Sequence, residues 1–305
     1  MSTRNFDALF APRAIALIGA SNEPGSVGQV LARNLYGGGF EGPILAVNPH
    51  ESAVRSALSY RSVDELPITP DLAVVATPAA TVPGVIATLG EKGCRAAVVI
   101  SAGLVAAGPD GRPLRQAMLE AARPHLLRIV GPNGLGFLSP GVGLNASFAH
   151  LTPAAGELAV LSQSGAVLTA MIDWAAANGV GFSHLVSLGD VDFGDLLDHL
   201  ALDQGTRAIL LYVETVTHAR KFMSAARVAS RAKPVIVVKG GRSAAGRQAA
   251  LSHTGALAGA DAVHQAAFRR AGLLQVDTLA ELFEAARPLT SRAANAGGEV
   301  VIVTN

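Results

Sequence analysis

The chain has 305 residues, of which half are hydrophobic and 15% are charged, and its net charge at pH 7 is +1. This near-neutral balance provides no polyanion-binding surface, so nucleic acid is not expected as a partner, and the single cysteine excludes an internal disulfide and an all-cysteine metal site. The polar N-terminus and the absence of an apolar run of about 18 residues predict a cytoplasmic protein without a signal peptide or a membrane span.

The first predicted unit is a buried strand over residues 14–18, followed by a glycine-containing turn and a helix that begins near Ser26. This order is typical of nucleotide-binding folds, in which a phosphate lies at the N-terminus of the helix. The next strand, over residues 44–47, ends in Asn48 rather than in the Asp or Glu that holds the ribose hydroxyls of a dinucleotide. We therefore expect coenzyme A, whose ribose carries a 3′-phosphate, in preference to NAD.

Three more buried strands are predicted in the first half of the chain, over residues 72–76, 96–100 and 127–130. Each is followed by small or turn-forming residues, and helical patterns lie between them, which predicts an open parallel sheet. Ligands of such sheets bind at the carboxyl ends of the strands. The residues expected to bind CoA at this edge are Gly19, Ala20, Ser21, Ser26, Val27, Gly28, Asn48, Thr77, Pro78, Ser101, Ala102, Gly103, Pro132 and Asn133.

A second alternation of strands and helices follows a stretch, residues 139–156, that is rich in Pro, Gly, Asn and His and is interpreted as a linker. Four strands are predicted over residues 158–161, 182–187, 208–213 and 234–238. Because helices lie between them, this order predicts a second doubly wound domain with a flavodoxin-like strand count.

The last of these strands precedes a segment rich in Gly, Ala and Ser with His253 at its centre, and small residues of this kind let backbone amides approach a ligand closely. Positive charge near this histidine comes from Lys239, Arg242 and Arg247. A histidine in such a segment suits a nucleophile, a metal ligand or a general base. It lacks the further ligands that a metal site needs, so no metal is expected.

A helix is predicted over residues 261–270, with Val263 and Phe268 on its inner face. The chain ends in an apolar strand over residues 299–303, which we interpret as the first strand of a truncated third domain. The predicted division is a first domain over residues 1–138, a second domain over residues 139–289, and a linker with the terminal strand over residues 290–305.

Groups of small and polar residues mark the ends of the predicted strands. They are Gly19-Ala20-Ser21 with Gly25-Ser26-Val27-Gly28, Val47-Asn48-Pro49, Ser101-Ala102-Gly103, Gly131-Pro132-Asn133, Ser162-Gln163-Ser164-Gly165-Ala166, Ser187-Leu188-Gly189-Asp190 and Ser252-His253-Thr254-Gly255-Ala256. Together these motifs resemble the NDP-forming acyl-CoA synthetases, a family whose relatives include the α subunit of succinyl-CoA synthetase. The resemblance covers essentially the whole chain.

The resemblance implies a CoA-binding Rossmann-like domain followed by a flavodoxin-like ligase domain of the succinyl-CoA synthetase type. It also implies that His253 is transiently phosphorylated and that Glu214 orients it. Phosphate is expected where a helix begins after Ser164, because free amides and the helix dipole favour an anion there. The residues expected to bind phosphate are Ser162, Gln163, Ser164, Gly165 and Ala166.

The implied activity is that of an ADP-forming acetate–CoA ligase, which converts acyl-CoA, phosphate and ADP to a carboxylic acid, CoA and ATP. The chain contains no ATP-grasp pattern, so ATP, ADP and Mg²⁺ are expected only through an ATP-grasp domain or β subunit as partner. A small carboxylic acid is the expected substrate, and an oligomer is the expected assembly.

Two positions depart from the family pattern: Gly134 stands where the family commonly has cysteine, and the loop after Gly189 is shorter. The alternative function is an acyl-CoA-sensing regulatory module of a protein-lysine acetyltransferase, although relatives with that role often lack the histidine. An NAD-dependent oxidoreductase is disfavoured by Asn48. A serine hydrolase built on Ser164 is excluded because the chain lacks a G-x-S-x-G motif there.

Overall fold

The computed structural model describes residues 3–242 and 261–290, which form two β-sheets of seven strands each. His253, Arg247 and the predicted terminal strand over residues 299–303 lie outside the described residues. In the described part of the chain, none of the helices combines the length and the apolar character that crossing a membrane requires.

The first sheet has the strand order of dinucleotide-binding domains. Its strands are β1 (Ile15–Ile18), β2 (Ile44–Val47), β3 (Ala53–Val54), β4 (Ala57–Tyr60), β5 (Leu72–Val75), β6 (Ala96–Val99) and β7 (Arg128–Val130). They lie in the order β3-β4-β2-β1-β5-β6-β7, and only the β3–β4 pair is antiparallel among them. The six parallel strands therefore run 3-2-1-4-5-6 in order of appearance, the Rossmann arrangement. The helices of this half are α1 (Phe6–Phe10), α2 (Val27–Gly37), α3 (Val82–Glu91) and α4 (Leu114–Ala122).

The second sheet has a flavodoxin-like centre. Its strands are β8 (Gly136–Ser139), β9 (Leu144–Ser147), β10 (Ala155–Ser162), β11 (Phe182–Ser187), β12 (Ala208–Val213), β13 (Val235–Lys239) and β14 (Leu274–Val276), in the order β14-β13-β12-β10-β11-β8-β9. From β10 to β14 all pairs are parallel, which gives the flavodoxin order 2-1-3-4-5. The helices of this half are α5 (Gly165–Asn178), α6 (Phe193–Leu202), α7 (Ala219–Ala232), α8 (Asp261–Ala271) and α9 (Leu279–Thr290). The predicted α/β fold class is confirmed.

The interpretation of residues 139–156 as a linker is wrong, because β9 lies within this region and forms an antiparallel hairpin with β8 that extends the second sheet. All four residues of β9 are buried. Its polar side chains are satisfied locally: the Ser147 hydroxyl donates to Asn145 Oδ1 (2.6 Å), and the Asn145 amide donates to Thr152 Oγ1 (3.1 Å). The predicted domain limit at residue 138 also divides β8, whose partners both lie in the second sheet.

Two further predictions for the second half need correction. A fifth parallel strand, β14, follows α8 and was not predicted, because three residues are too few to show a strand pattern. On α8, Phe268 is fully buried as predicted, but Val263 is 67% exposed. The inner face of α8 therefore runs through Phe268 and Ala271, which is also buried.

Helix α1 belongs to the N-terminus but packs on the second sheet. The Phe10 ring stacks on His199 of α6 with a centroid distance of 4.2 Å and meets Phe137 of β8 edge-on at 5.2 Å. Nearby, the Arg128 guanidinium of β7 lies 4.5 Å from the centre of the Phe6 ring and pairs with Asp195 of α6 at 2.8 Å. One apolar core therefore runs through both sheets and fixes how their strand ends face each other.

Candidate functional site

The first cavity lies where the order of the first sheet reverses, between β1 and β5. Its volume is about 710 Å³, and its walls come from the ends of β1, β2 and β5 and from α3. Ligands of doubly wound sheets bind at this switch point, outside the carboxyl ends of the strands. The predicted site residues that line it are Gly19, Asn48, Thr77 and Pro78.

The turn after β1 brings backbone segments into contact at two glycines. Gly19 has φ +88°, and a Cβ there would lie 2.5 Å from the carbonyl oxygen of Ala76. A Cβ at Gly28, in the first turn of α2, would lie 2.1 Å from the carbonyl oxygen of Gly19. Ser26 caps α2 by accepting a hydrogen bond from the Gln29 amide (3.2 Å). The predicted helix start is confirmed, and its N-terminus lies against the turn.

Asn48 holds this turn in place. Its side-chain amide donates to the Ala20 carbonyl (2.7 Å), and its oxygen accepts from the His50 amide (2.8 Å). A carboxylate at position 48 could not donate a hydrogen bond to the Ala20 carbonyl. The structure of the turn therefore explains why an amide stands here in place of the acidic residue that binds a ribose.

Glu51, which the sequence analysis did not single out, also holds this turn. Its carboxylate accepts hydrogen bonds from the Asn22 amide (3.0 Å) and the Ser21 hydroxyl (3.2 Å). Ser21 therefore shapes the turn through its side chain. Glu51 lies beyond the end of β2, whereas the sequence pattern for a ribose-binding acid examines the strand end itself.

A second cavity, of about 790 Å³, adjoins the first and is shared by both sheets. The two cavities have Ala76, Thr77 and Pro78 in common. From the first half the second cavity also takes Val27, Ser101, Ala102 and Asn133, and from the second half it takes Gly165, Ala166 and Thr169 of α5. The two cavities thus form one crevice, which leads from the turn after β1 (the nucleotide-type turn) to the N-terminus of α5. The other predicted CoA-binding residues, Ala20, Ser21, Ser26, Gly28, Gly103 and Pro132, shape turns beside the cavities without lining them.

Gly134 lines the second cavity where the family pattern has cysteine. A Cβ at this position would lie 2.6 Å from the hydroxyl of Ser187, and that hydroxyl accepts a hydrogen bond from the Leu135 amide (3.0 Å). Ser187 therefore occupies the space that a side chain at position 134 would need.

The N-terminus of α5 lies where the second sheet reverses its order, between β10 and β12. Ser164 caps the helix and accepts from the Val167 amide (3.4 Å), and the Ser162 hydroxyl accepts from the Ser164 amide (3.0 Å). These hydroxyls organise the turn. Gly165 and Ala166 begin the helix and face the second cavity, where the amides and dipole of a 14-residue helix suit an anion.

Gln163 connects this turn to the end of β12. Its side-chain oxygen accepts from the amides of Glu214 (2.7 Å) and Thr215 (2.9 Å), and its amide donates to the Thr215 carbonyl (3.0 Å). With its side chain committed to these three bonds, Gln163 acts as a brace between the two strand ends. The structure thus brings the predicted phosphate-binding turn and Glu214 together.

Glu214 is 8% exposed and lies beside Lys239, which is 3% exposed. Burial lowers the pKa of the Lys239 ammonium group, and the carboxylates of Asp261 and Glu214 offset part of that effect. The Lys239 ammonium donates to the Gly240 carbonyl, and Arg242 pairs with Asp261 (3.0 Å) and with Asp277. The two residues expected to supply positive charge near the histidine, Lys239 and Arg242, are thus both held by neighbouring groups.

The described residues on either side of the segment 243–260 lie close to each other, and Gly240, shortly before it, lies close to Glu214. A Cβ on Gly240 would lie 3.4 Å from Glu214 Cγ, and the Arg242–Asp261 ion pair joins the two described ends of the segment. Among the residues that the structure describes, no group of three or more His, Cys, Asp or Glu side chains is arranged to hold a metal ion.

Comparison with protein families gives two matches that follow the two sheets. Residues 13–140 match the family described as a CoA binding domain, and residues 155–289 match the family described as a succinyl-CoA ligase like flavodoxin domain.

Individual relatives point the same way. The chain is 41% identical over 99% of its length to the α subunit of acetate–CoA ligase [ADP-forming] I of Pyrococcus furiosus, of which it covers 67%. It is 35% identical to the 4-hydroxybutyrate–CoA ligase [ADP-forming] of Nitrosopumilus maritimus, of which it covers 43%. An acetyl-coenzyme A synthetase of Ca. Korarchaeum cryptofilum, solved with phosphate and ADP, superposes with a TM-score of 0.87 at 34% identity, over 93% of this chain and 62% of that one.

Proposed function

Because the chain belongs to the NDP-forming acyl-CoA synthetases, which include the ADP-forming acetate–CoA ligases, we propose that it is the part that binds CoA and carries the phosphorylated histidine. The complete reaction converts acyl-CoA, phosphate and ADP to a carboxylic acid, CoA and ATP. The chain spans between 42% and 67% of the length of the acetate–CoA ligases that it matches. We assign the site for ADP and ATP to the part of these ligases that this chain does not cover.

The observation that carries this proposal is the crevice between the two switch points. One cavity begins at the Gly19 turn of the first sheet, and the adjoining cavity ends at Gly165 of α5. A ligand bound along this crevice would have one end at a nucleotide-type turn and the other at an anion-binding helix terminus. An enzyme that transfers an acyl group between a CoA thiol and phosphate needs this connection.

Coenzyme A fits the residues of the crevice. The backbone approaches closely at Gly19 and Gly28, and Val27, the first residue of α2, lines the second cavity, so a phosphate group bound there would lie at a helix N-terminus. Asn48 places no carboxylate at the end of β2. The Thr77 and Pro78 walls continue toward Ser101 and the second sheet. When bound, CoA supplies the thiol that accepts or releases the acyl group.

We assign the phosphoryl transfer to His253, with Glu214 as its positioning residue. In the ATP-forming direction a neutral imidazole nitrogen attacks the phosphorus of an acyl phosphate, the N–P bond forms, and the P–O bond to the acyl group breaks to release the carboxylate. The phosphohistidine then transfers its phosphoryl group to ADP. A buried carboxylate such as Glu214 stabilises the positive charge that develops on the ring. Gly165 and Ala166 offer amides to the phosphate oxygens.

ATP, ADP and Mg²⁺ enter this scheme through an ATP-grasp domain or β subunit. Relatives named as α subunits support a partner of this kind. A small carboxylic acid completes the substrates, and the relatives act on acids as different as acetate and 4-hydroxybutyrate. We propose an oligomer that contains both parts. The acetyltransferase-linked sensor receives no support from these relatives, which are named as ligases.

The experiment that tests the proposal is phosphorylation of this chain with an ATP-grasp partner, ATP and Mg²⁺. We expect an acid-labile, base-stable phosphoenzyme that CoA and a carboxylic acid discharge together. The His253→Asn variant should not label, whereas His264→Asn, which removes a histidine of α8, should label normally. Wild type that never labels with a proven partner would instead favour the sensor function.

A second variant tests the role of Glu214. Glu214→Gln keeps the shape of the side chain but removes its charge, so labelling should slow by about 10²-fold, the scale of a lost acid–base partner. CoA affinity, measured by calorimetry, should not change. Labelling at the wild-type rate would show that Glu214 does not position the histidine.

A further inference from the structure

A third, smaller cavity lies in the second domain, at the carboxyl ends of β10, β11 and β12. Its volume is about 50 Å³. Five apolar side chains line it: Leu188, Val191, Phe193, Val216 and Phe222. The other side chains in its wall are polar: Gln163, Asp192, Thr215, Thr217 and His218. Nothing in the scheme above uses this cavity.

The cavity shares two structural elements with the proposed phosphate site. Gln163 lines it and immediately precedes the Ser164 cap of α5, and Thr215 lines it and immediately follows Glu214. The hydrogen bonds from Gln163 to the backbone of Thr215 join these two walls (2.9 and 3.0 Å). A group in the cavity would therefore lie next to the place where an acyl phosphate forms and breaks.

The size and chemistry of the cavity suit a short hydrocarbon chain. A single water molecule needs about 10–15 Å³ of such space, so this cavity holds about three to five non-hydrogen atoms. The carboxylate in the wall, Asp192, is paired with Lys221 (3.0 Å) and accepts from the Asp195 amide (3.0 Å). Its charge is compensated, so it does not oppose an acidic substrate.

We propose that this cavity binds the hydrocarbon part of the carboxylic acid substrate and that Val216 sets the length it accepts. The assignment rests on the proposed function and adds the specificity-determining residue to it. Leu188, Val191, Phe193 and Phe222 are at most 8% exposed and belong to the main apolar core. Val216 is half-buried and only packs against that core, so its size can change while the fold is kept.

The test changes the size of Val216 in the complete enzyme, this chain with its ATP-grasp partner. Acyl-CoA formation is measured with butyrate, hexanoate and heptanoate. Val216→Ala should raise kcat/KM for heptanoate, whose hydrocarbon chain exceeds the space in the wild-type cavity, relative to butyrate by about tenfold, since one methylene in an apolar pocket changes selectivity by about 10–200-fold. Val216→Phe should lower kcat/KM for all three acids by at least about tenfold. Val228→Ala, which shortens an exposed valine of α7, should leave the ratios unchanged.

Two further readouts separate this assignment from the proposed function. Phosphorylation by ATP and CoA affinity should match wild type in both Val216 variants, and their melting temperatures show that they fold. Normal phosphorylation with unchanged ratios among the three acids in both variants would overturn the role of Val216 while leaving the proposed function intact. Wild type with neither phosphorylation nor acyl-CoA formation would overturn the proposed function and this assignment together.

Discussion

At the scale of single residues, Gly134 departs from the family motif, and a residue of the second sheet compensates for the missing side chain. Gly134 stands where the family pattern commonly has cysteine, and Ser187 occupies the volume that a side chain there would need and accepts from the Leu135 amide. The two positions therefore form a coupled pair across the boundary between the sheets.

We predict that Gly134→Ala lowers the free energy of unfolding by about 1–3 kcal/mol, the usual effect of inserting a methyl group where no space exists. Urea denaturation measures this change. Gly37→Ala, in the last turn of α2, is the matched control because a Cβ there meets no atom within 4 Å. The double variant Gly134→Ala with Ser187→Gly should be less destabilised than the sum of the single effects, since Ser187→Gly removes the hydroxyl that the added methyl group at position 134 would meet. Strict additivity would mean that the two side chains do not compete.

Sequence reasoning at the residue scale succeeded where the chain itself carries the chemistry. The helix starts at Ser26 and Ser164 could be predicted because a small polar residue before an apolar helical pattern typically caps the first turn with its side-chain oxygen. The bracing by Gln163 and the turn contacts of Glu51 could not, because both depend on backbone amides that lie far away in sequence. Gln163 was predicted to bind phosphate because of the motif that contains it. In the structure its side chain forms hydrogen bonds to the backbone at the end of β12.

At the scale of secondary structure elements, most of the parallel strands of the two sheets could be predicted from the sequence. Buried parallel strands are continuous apolar runs, and strands such as β2, β11 and β12 coincide with their predicted ranges. The β8–β9 hairpin was missed because its polar residues look like a linker until Asn145 and Ser147 are seen bonded to each other. Sequence composition cannot distinguish a solvated polar residue from one that is satisfied internally.

Helix α5 provides a test of the anion site at its N-terminus. Gly165→Val places a branched side chain where the phosphate is proposed to bind, so phosphorylation from ATP and Mg²⁺ should fall by at least about 10²-fold, as when a transition-state donor is lost. CoA affinity should remain near the wild-type value. Thr169→Val, one turn later on the same cavity wall, is the control and should label normally. Equal loss of phosphorylation and CoA binding would place both ligands at one site instead of two.

Helix α6 makes the stability of the second domain depend on pH. Burial, followed by the charge of His184, lowers the pKa of His199 to about 4 from its ordinary value of 6.5. The unfolded chain therefore binds more protons than the folded one between these values, and stability falls as pH drops from about 6.5 to about 4. After allowance for solvent screening of the half-buried ring, the loss is about 2 kcal/mol.

Urea titrations at pH 7 and pH 4.5 measure this dependence. In His199→Gln the loss over that interval should be smaller by about 2 kcal/mol. The paired carboxylate of Asp203 has a pKa held below its ordinary value of 3.8 by its hydrogen bond to His184, so it acts at lower pH and does not contribute to this window. An unchanged loss in the variant would assign the dependence to other groups.

At the scale of the whole molecule, the two switch points face one crevice because α1 and the β8–β9 hairpin join the sheets. Asn34 of α2 adds to this junction by donating to the carbonyls of Ser147 and Ala149 (both 2.8 Å). Arg115, at the start of α4, pairs with Asp190 after β11 (2.9 Å). The presence of two doubly wound units could be predicted from the sequence. Their mutual orientation could not, because it depends on side chains from both ends of the chain.

The whole crevice is proposed to bind CoA, and this can be tested directly. Calorimetric titration of wild type should show binding of CoA that weakens by about 10- to 100-fold when the 3′-phosphate is removed, the effect of losing one charge-assisted hydrogen bond. NAD should bind more weakly than either, since no carboxylate at the end of β2 receives a ribose diol. Tight NAD binding without a response to CoA would refute the proposed cofactor.

The position of α1 has a consequence for how the protein is made. Phe10 leaves the ribosome early, but His199, the ring on which it stacks, is synthesised much later. At about 5–20 residues per second, the nascent chain carries these aromatic side chains without their partner for about 10–40 s. The first sheet can assemble during this interval, whereas the contacts between α1 and α6 form only after α6 has emerged. Helix α1 is thus synthesised well before the ring on which Phe10 stacks, and that delay gives chaperones an apolar segment to bind.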